Sequence, residues 1–131
     1  MESMIEKCSH RLVGEAFSDW KNTPTLPYVF ERLADINAGR LECLTLFTTD
    51  GKNMMFLGKP GLTHICLFAS DKETYIFDNG TADTTKVDIA GDYWPSFQLC
   101  RDGQRSKDIA REFCISGRPL AAQKWIHYVE S

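Results

Sequence analysis

The stretch LECLTLFTTDGKNMMFLGKPGLTHICLFASDKETYIFD (residues 41–78) decides the fold. It contains four short apolar runs, which cover residues 41–48, 52–58, 62–69 and 73–78. Turn-forming residues, such as Asp50-Gly51 and Pro60-Gly61, lie in the gaps. Gaps this short permit hairpins, whereas parallel strands need a crossover of roughly a dozen residues or more. The sequence therefore predicts a mainly antiparallel sheet, built as a meander of hairpins.

Two amphipathic helices are predicted on either side of this meander, over residues 26–37 and 107–116. In both segments the apolar residues recur at helical spacing and form a single stripe. Thr25 and Ser106 are expected to cap their first turns. Gly117 is expected to end the second helix in a left-handed conformation, because glycine adopts a positive φ without steric penalty.

The rest of the chain gives weaker structural signals. Residues 86–100 alternate weakly and are interrupted by Pro95, which predicts an edge strand or an extended segment. The run KWIHYV (residues 124–129) predicts a closing strand. We predict a single α+β domain over residues 1–131, with both helices packed on a mainly antiparallel β-sheet.

The composition of the chain limits the cellular compartments and the kinds of partner that we expect. The net charge of −3 argues weakly against direct binding of nucleic acid. No apolar run approaches the roughly 20 residues that cross a bilayer, and the N-terminus lacks the basic and apolar regions of a signal peptide. The five cysteines show no disulfide-framework spacing, which is typical of reduced thiols. We therefore expect a cytoplasmic protein with no membrane partner.

Candidate catalytic and metal-ligating residues are few. His64 and Cys66 alternate on one strand, and with Cys8 and His10 they could offer two nitrogens and two sulfurs to zinc. The spacing is not that of a structural zinc site, so the favoured interpretation buries Cys66 and turns His64 toward solvent or a polar partner. Neither an activated cysteine nor the His-x-Glu and Pro-Cys-x-x-Cys pattern of zinc deaminases is evident. We predict no metal, no cofactor and no enzymatic activity.

The candidate partner-binding residues lie between positions 71 and 92 and just beyond. This segment has six acids against two lysines, and such a charge favours encounter with a basic partner. Two aromatic residues follow the last acid and are candidate anchors. The predicted partner-binding set is Asp71, Glu73, Asp78, Asp83, Asp88, Asp92, Tyr93 and Trp94. The competing hypothesis is that the acids form an ordinary solvated surface and that Trp94 packs in the core.

A second set of residues carries a family resemblance: Glu112-Phe113, Gly117-Arg118-Pro119 and Trp125. With the order of elements from about Leu26 onward, they resemble the first family of immunity proteins from bacterial polymorphic toxin systems, which includes protectors against DNA cytosine deaminase toxins. The sequence departs from the family where Cys114 replaces a frequent second aromatic residue, and residues 1–24 match no family element. The resemblance implies a non-enzymatic inhibitor that binds a cognate toxin domain, commonly a nucleic-acid deaminase, and blocks its substrate site.

Two alternatives from other classes remain open. One is a small α+β enzyme or ligand-binding domain with His64 or His127 as the acid-base group. Its pocket would be lined by Tyr75, Phe77, Tyr93 or Trp94. The other is an adaptor or chaperone that helps to load a secreted effector.

Overall fold

The computed structural model describes residues 3–130 and has the predicted α+β fold. Its elements follow one another as β1 (Ile5–Leu12), β2 (Asp19–Asn22), α1 (Leu26–Asn37), β3 (Leu41–Thr48), β4 (Asn53–Lys59), β5 (Leu62–Ser70), β6 (Glu73–Phe77), β7 (Lys86–Ile89), β8 (Asp92–Pro95), a short 3-10 helix (Ser96–Gln98), β9 (Leu99–Cys100), α2 (Gly103–Ser116) and β10 (Trp125–Val129). Neither α-helix of the described residues has the length and apolar composition to cross a membrane.

One large antiparallel sheet contains eight of these strands. Its order is β10-β6-β5-β4-β3-β1-β2, and β9 pairs with the beginning of β5 beside β6. The predicted meander is confirmed as β3 to β6, and the predicted closing strand is β10, which pairs with β6. The N-terminal strand β1 adds to the other side of the meander against β3.

Both helices pack on the same face of the sheet, which we call the helix face. The two helices contact each other, and α1 contacts β3 and β4. Buried side chains from both helices and from the sheet form the main core, including Val29, Ile36, Phe56, Leu67 and Phe113. Thr25 caps α1 as predicted, since its Oγ1 accepts a hydrogen bond from the Tyr28 amide at 3.3 Å.

The predicted start of the second helix is wrong by one turn. α2 begins at Gly103, because Asp102 accepts a hydrogen bond from the Gln104 amide at 3.0 Å and so caps it. A carboxylate suits this position better than a hydroxyl because it also interacts favourably with the helix dipole. Ser106 instead lies buried in the helix and donates to Cys100 Sγ. The end is as predicted, since Gly117 has a φ of 70° and donates to the Phe113 carbonyl.

The segment after β6 departs from the prediction of a single edge strand or extended segment. β7 and β8 form a separate two-stranded hairpin, whose turn residues Ala90 and Gly91 both have positive φ, 54° and 89°. Two consecutive positive φ values match the right-handed twist of hairpin strands. Hairpin β7–β8 packs on the face opposite the helices, where Ile89 and Leu57 belong to a second, smaller buried cluster.

Candidate partner-binding surface

Within residues 3–130, the sheet face opposite the helices is covered at one end and not at the other. Hairpin β7–β8 lies over a row of register partners formed by Cys43, Leu57 and His64. Beyond that row, apolar side chains continue along the same face without a covering layer. We call them the open face: Trp20, Phe47, Met55, Phe68, Ile76, Ile126 and Tyr128. Trp20 is 57% exposed and Tyr128 is 55% exposed, and the other five are half-buried.

An aromatic pair stands at one side of the open face. The rings of Trp20 and Phe47 are 5.6 Å apart, and Lys7 Nζ lies 5.1 Å from the Trp20 ring centre. Phe17, in the loop before β2, is 88% exposed. Contiguous exposed apolar groups of this kind mark interaction sites on folded proteins. Sequence reasoning missed this part of the surface, although an aromatic residue between Asp19 and Lys21 was a readable signal.

The six predicted acids do not form one surface. Asp71 lies in the turn after β5, and Glu73 begins β6. Asp88 and Asp92 flank the turn of hairpin β7–β8, at the opposite end of β5. The six steps along the strand from His64 to Ser70 correspond to roughly 20 Å. The acids are therefore separated, and only those near the hairpin lie beside its exposed aromatic residue.

Two of the acids already lie beside a basic side chain of the same chain. Asp78 lies 3.6 Å from Lys124 Nζ. Glu73 Oε2 lies 2.8 Å from His127 Nε2, and the rings of His127 and Tyr75 are stacked at 4.1 Å. Burial raises the pKa of the Tyr75 hydroxyl, and the Glu73 charge adds to this effect. Asp83 accepts a hydrogen bond from the Thr85 amide, which lowers the pKa of its carboxyl.

The two predicted aromatic anchors differ in position. Trp94 is half-buried and stacks on His64, with ring centres 3.7 Å apart and planes 24° apart. Tyr93 is 68% exposed, because alternation along β8 turns it away from the sheet. Trp94 thus packs as the competing hypothesis expected, in the second cluster with Leu57 and Leu99. Tyr93 is the exposed member of the pair.

The four residues weighed as zinc ligands lie on two faces of the sheet. Cys8 and His10 share the helix face with their register partners Leu46 and Leu44. His64 and Cys66 lie on the opposite face. In residues 3–130 no group of three or more His, Cys, Asp or Glu side chains is arranged to hold a metal ion. These four side chains therefore cannot bind one zinc ion together, because the sheet separates the two pairs.

His64 and the thiols are poorly placed for catalysis at neutral pH. His64 is buried against Gln98 Oε1 at 3.0 Å, so it has the polar partner that the sequence predicted. Burial lowers the pKa of its imidazole. Burial also raises the pKa of the Cys8 and Cys66 thiols to about 11 and that of Cys114 to about 12. Such thiols stay protonated and are weak nucleophiles.

The alternative pocket predicted from aromatic residues is not formed. Tyr75 and Phe77 pack against the helix-face core, whereas Trp94 lies on the other side of the sheet and Tyr93 points outward. The sheet itself separates them. A different cavity of about 280 Å³ lies between α1 and the start of α2. Neither His64 nor His127 belongs to its lining.

Comparison with known proteins adds a structural likeness. No protein-family model matches the chain, and no curated protein is significantly similar in sequence. The fold is similar to the crystal structure of a hypothetical protein from Neisseria gonorrhoeae, with a TM-score of 0.68 and 14% sequence identity. The match covers 92% of this chain and 96% of that chain. At this identity the likeness shows the fold alone.

Proposed function

We propose that this protein is an immunity protein that binds a cognate bacterial toxin domain and blocks its substrate site without catalysing a reaction. We propose that this toxin domain is a nucleic-acid deaminase, because of the family resemblance carried by Glu112-Phe113, Gly117-Arg118-Pro119 and Trp125. The observation that carries the proposal is the open face, because it supplies a surface suited to a folded protein partner.

The open face has the composition of an interface centre. Aromatic and large aliphatic side chains are enriched at the centre of protein interfaces, and polar groups surround them. Trp20, Phe47, Phe68 and Tyr128 provide the aromatic groups here. Burial of such side chains against a partner removes apolar surface from water and stabilises the complex.

Hairpin β7–β8 gives this surface a negative border. Asp88 and Asp92 are exposed beside its turn, and Tyr93 is exposed next to Asp92. A toxin that acts on nucleic acid must present a positive channel to the phosphate backbone. We therefore place the apolar part of the toxin surface on the open face and the entrance of its channel against the hairpin.

Co-expression with toxin domains encoded by neighbouring genes, followed by binding kinetics on the purified pair, tests this proposal. Trp20→Ala should speed dissociation, since loss of an aromatic anchor costs about 2 kcal/mol or more. Asp88→Asn combined with Asp92→Lys should slow association and weaken its dependence on salt. Asparagine at 88 keeps the Oδ1 atom that accepts from the Gly91 amide at 2.9 Å, so the turn is preserved.

Asp71→Lys is the matched control, because Asp71 is exposed at the far end of β5. It should leave both rates nearly unchanged. If all variants had the same association and dissociation rates as the parent, the interface would not include the open face. If the protein bound no toxin domain encoded by a neighbouring gene, the proposal of an immunity function would be wrong. Binding that leaves the toxin active would favour the effector-loading adaptor instead.

A further inference from the structure

The two edges of the sheet differ in how they are protected against pairing with another strand. β2, at one edge, has four residues and carries the charges of Asp19 and Lys21. β10, at the other edge, has the sequence WIHYV and pairs with β6 without a register shift. Exposed edges are usually blocked by lysine, proline, bulges or a covering segment. β10 has no lysine, proline or bulge.

The hydrogen bonds at both ends of β10 define which backbone groups point outward. The Lys124 carbonyl accepts from the Asp78 amide at 3.2 Å, and the Glu130 amide donates to the Lys72 carbonyl at 2.8 Å. In an antiparallel pair, residues that exchange hydrogen bonds alternate with residues that do not. Even-numbered residues therefore bond to β6. The outward N–H and C=O groups belong to Trp125, His127 and Val129.

These outward groups are self-complementary. We propose that β10 is a homodimerisation edge, on which a second copy of this chain pairs antiparallel with the two-fold axis at His127. His127 then exchanges two hydrogen bonds with the second copy's His127. Trp125 pairs with the second copy's Val129 in both directions, so all six outward groups are satisfied. An isologous pairing of this kind forms a closed dimer.

The side chains beside the axis favour this register. It places Ile126 against the second copy's Tyr128, an aliphatic-aromatic cross-strand pair of the kind that stabilises sheets. It also places Lys124 opposite the second copy's Glu130, with the reciprocal pair on the other side of the axis. Both side chains are exposed, and opposite charges at such positions are favourable. If the axis moved to Ile126 or Tyr128, outward backbone groups would still face each other, but only two of the three outward residues would have a partner within β10. Lys124 would also no longer lie opposite the second copy's Glu130.

The size of the contact predicts a weak dimer. Pairing of a five-residue strand and its flanking side chains buries less than the roughly 1,200–2,000 Å² of a standard stable interface. The dissociation constant should therefore be about micromolar or weaker, and dimer formation should depend on concentration. In the dimer the two sheets would join into one continuous sheet. The two open faces would then adjoin, because Ile126 and Tyr128 lie on the edge strand of each copy. Formation of this dimer does not require a toxin.

Cysteine cross-linking of the full chain tests the register. Directly opposed residues that exchange hydrogen bonds have Cα atoms about 5.5 Å apart, within the range that a disulfide spans. His127→Cys should therefore give a covalent dimer under mild oxidation. Val129→Cys is the matched control, since Val129 lies on the same strand face and is also exposed. Its counterpart in the second copy is about 13 Å away in this register. Covalent dimer from His127→Cys should form at least about tenfold faster than from Val129→Cys.

Amide hydrogen exchange on the unmodified chain gives a test that needs no variant. As concentration rises, the amides of Trp125, His127 and Val129 should become protected, whereas those of Ile126 and Tyr128 should be protected throughout. Sedimentation equilibrium should show the dimer over the same range. A monomer at all concentrations would overturn the proposal. A dimer whose three outward amides exchange freely, or equal cross-linking at positions 127 and 129, would overturn it as well.

Discussion

Replacement of Trp94 by alanine should destabilise the fold, whereas replacement of its neighbour Tyr93 should not. The Trp94 ring stacks on His64 at 3.7 Å and packs with the buried side chains of Leu57 and Leu99. Tyr93 is 68% exposed and contributes little packing. The two substitutions therefore remove an aromatic side chain from adjacent positions of one strand, and only the Trp94 side chain is packed.

The expected magnitude follows from the burial of each ring. A fully buried Trp→Ala change costs about 3–5 kcal/mol. Because Trp94 is half-buried, we expect a loss of about 2–3 kcal/mol, which includes about 0.5–1.5 kcal/mol for the ring stack. For a domain of this size, about 3–4 °C of Tm corresponds to each kcal/mol, so Tm should fall by roughly 6–12 °C. Tyr93→Ala should change stability by less than about 0.5 kcal/mol.

Thermal and denaturant unfolding of both variants measure this difference. Hydrogen exchange should localise the effect, since the amides of residues 86–95 should lose protection in Trp94→Ala before the meander does. A Trp94→Ala variant as stable as the parent would refute the packing account. If that variant also dissociated faster from a toxin, Trp94 would be a binding anchor after all.

Three further predictions concern the fold and its pH dependence. Gly58→Ala should destabilise by about 1–3 kcal/mol in denaturant unfolding, because a Cβ there would lie 2.7 Å from Ile36 Cγ2; Gly103→Ala, where nothing lies within 4 Å of the added carbon, is the control and should be nearly neutral. Gly117→Val should cost roughly 1 kcal/mol or more, since valine does not fit a φ of 70°, and an unchanged Tm would contradict the helix-end assignment. The free energy of unfolding should fall as pH falls below about 6.5, because burial lowers the pKa of His64 in the folded state and the unfolded chain binds the proton more readily. His64→Leu should reduce this dependence of stability on pH. An equal pH dependence in both proteins would mean that groups other than His64 cause it.

The meander and the first helix were predictable because their signals are local. The gaps between the runs from 41 to 78 are too short for any connection except a hairpin, and the observed strands keep the predicted bounds within one residue. Thr25 was readable as a cap because its neighbours are apolar at helical spacing. The start of α2 was not readable in the same way, since both Asp102 and Ser106 are good capping residues and only burial of Ser106 distinguishes them.

The binding surface was harder to predict because it depends on contacts distant in sequence. The acids between 71 and 92 are close along the chain, but β6 runs between the first two and the other four and so places them toward opposite ends of the sheet. The sequence predicts Trp94 as a candidate anchor, but in the fold its ring packs on His64, thirty positions earlier in the chain. An aromatic residue at position 20, between two charged residues, is readable in the sequence, but its part in a larger surface depends on the Phe47 ring beside it.

The apolar character of the open face is itself an argument for a partner. An antiparallel sheet with one face on a core and one face in water alternates apolar and polar residues along each strand. Here α1 and α2 cover the helix face, and residues such as Phe56, Ile65 and Leu67 supply that core. This alternation predicts polar side chains at positions 55 and 68, which lie on the face opposite the core. The chain instead has large apolar side chains there, beyond the reach of hairpin β7–β8, and such a departure from the folding pattern is typical of a functional site. Phe68→Thr should therefore leave the main core intact and weaken partner binding; if it unfolded the protein, this part of the open face would belong to the fold and not to the interface.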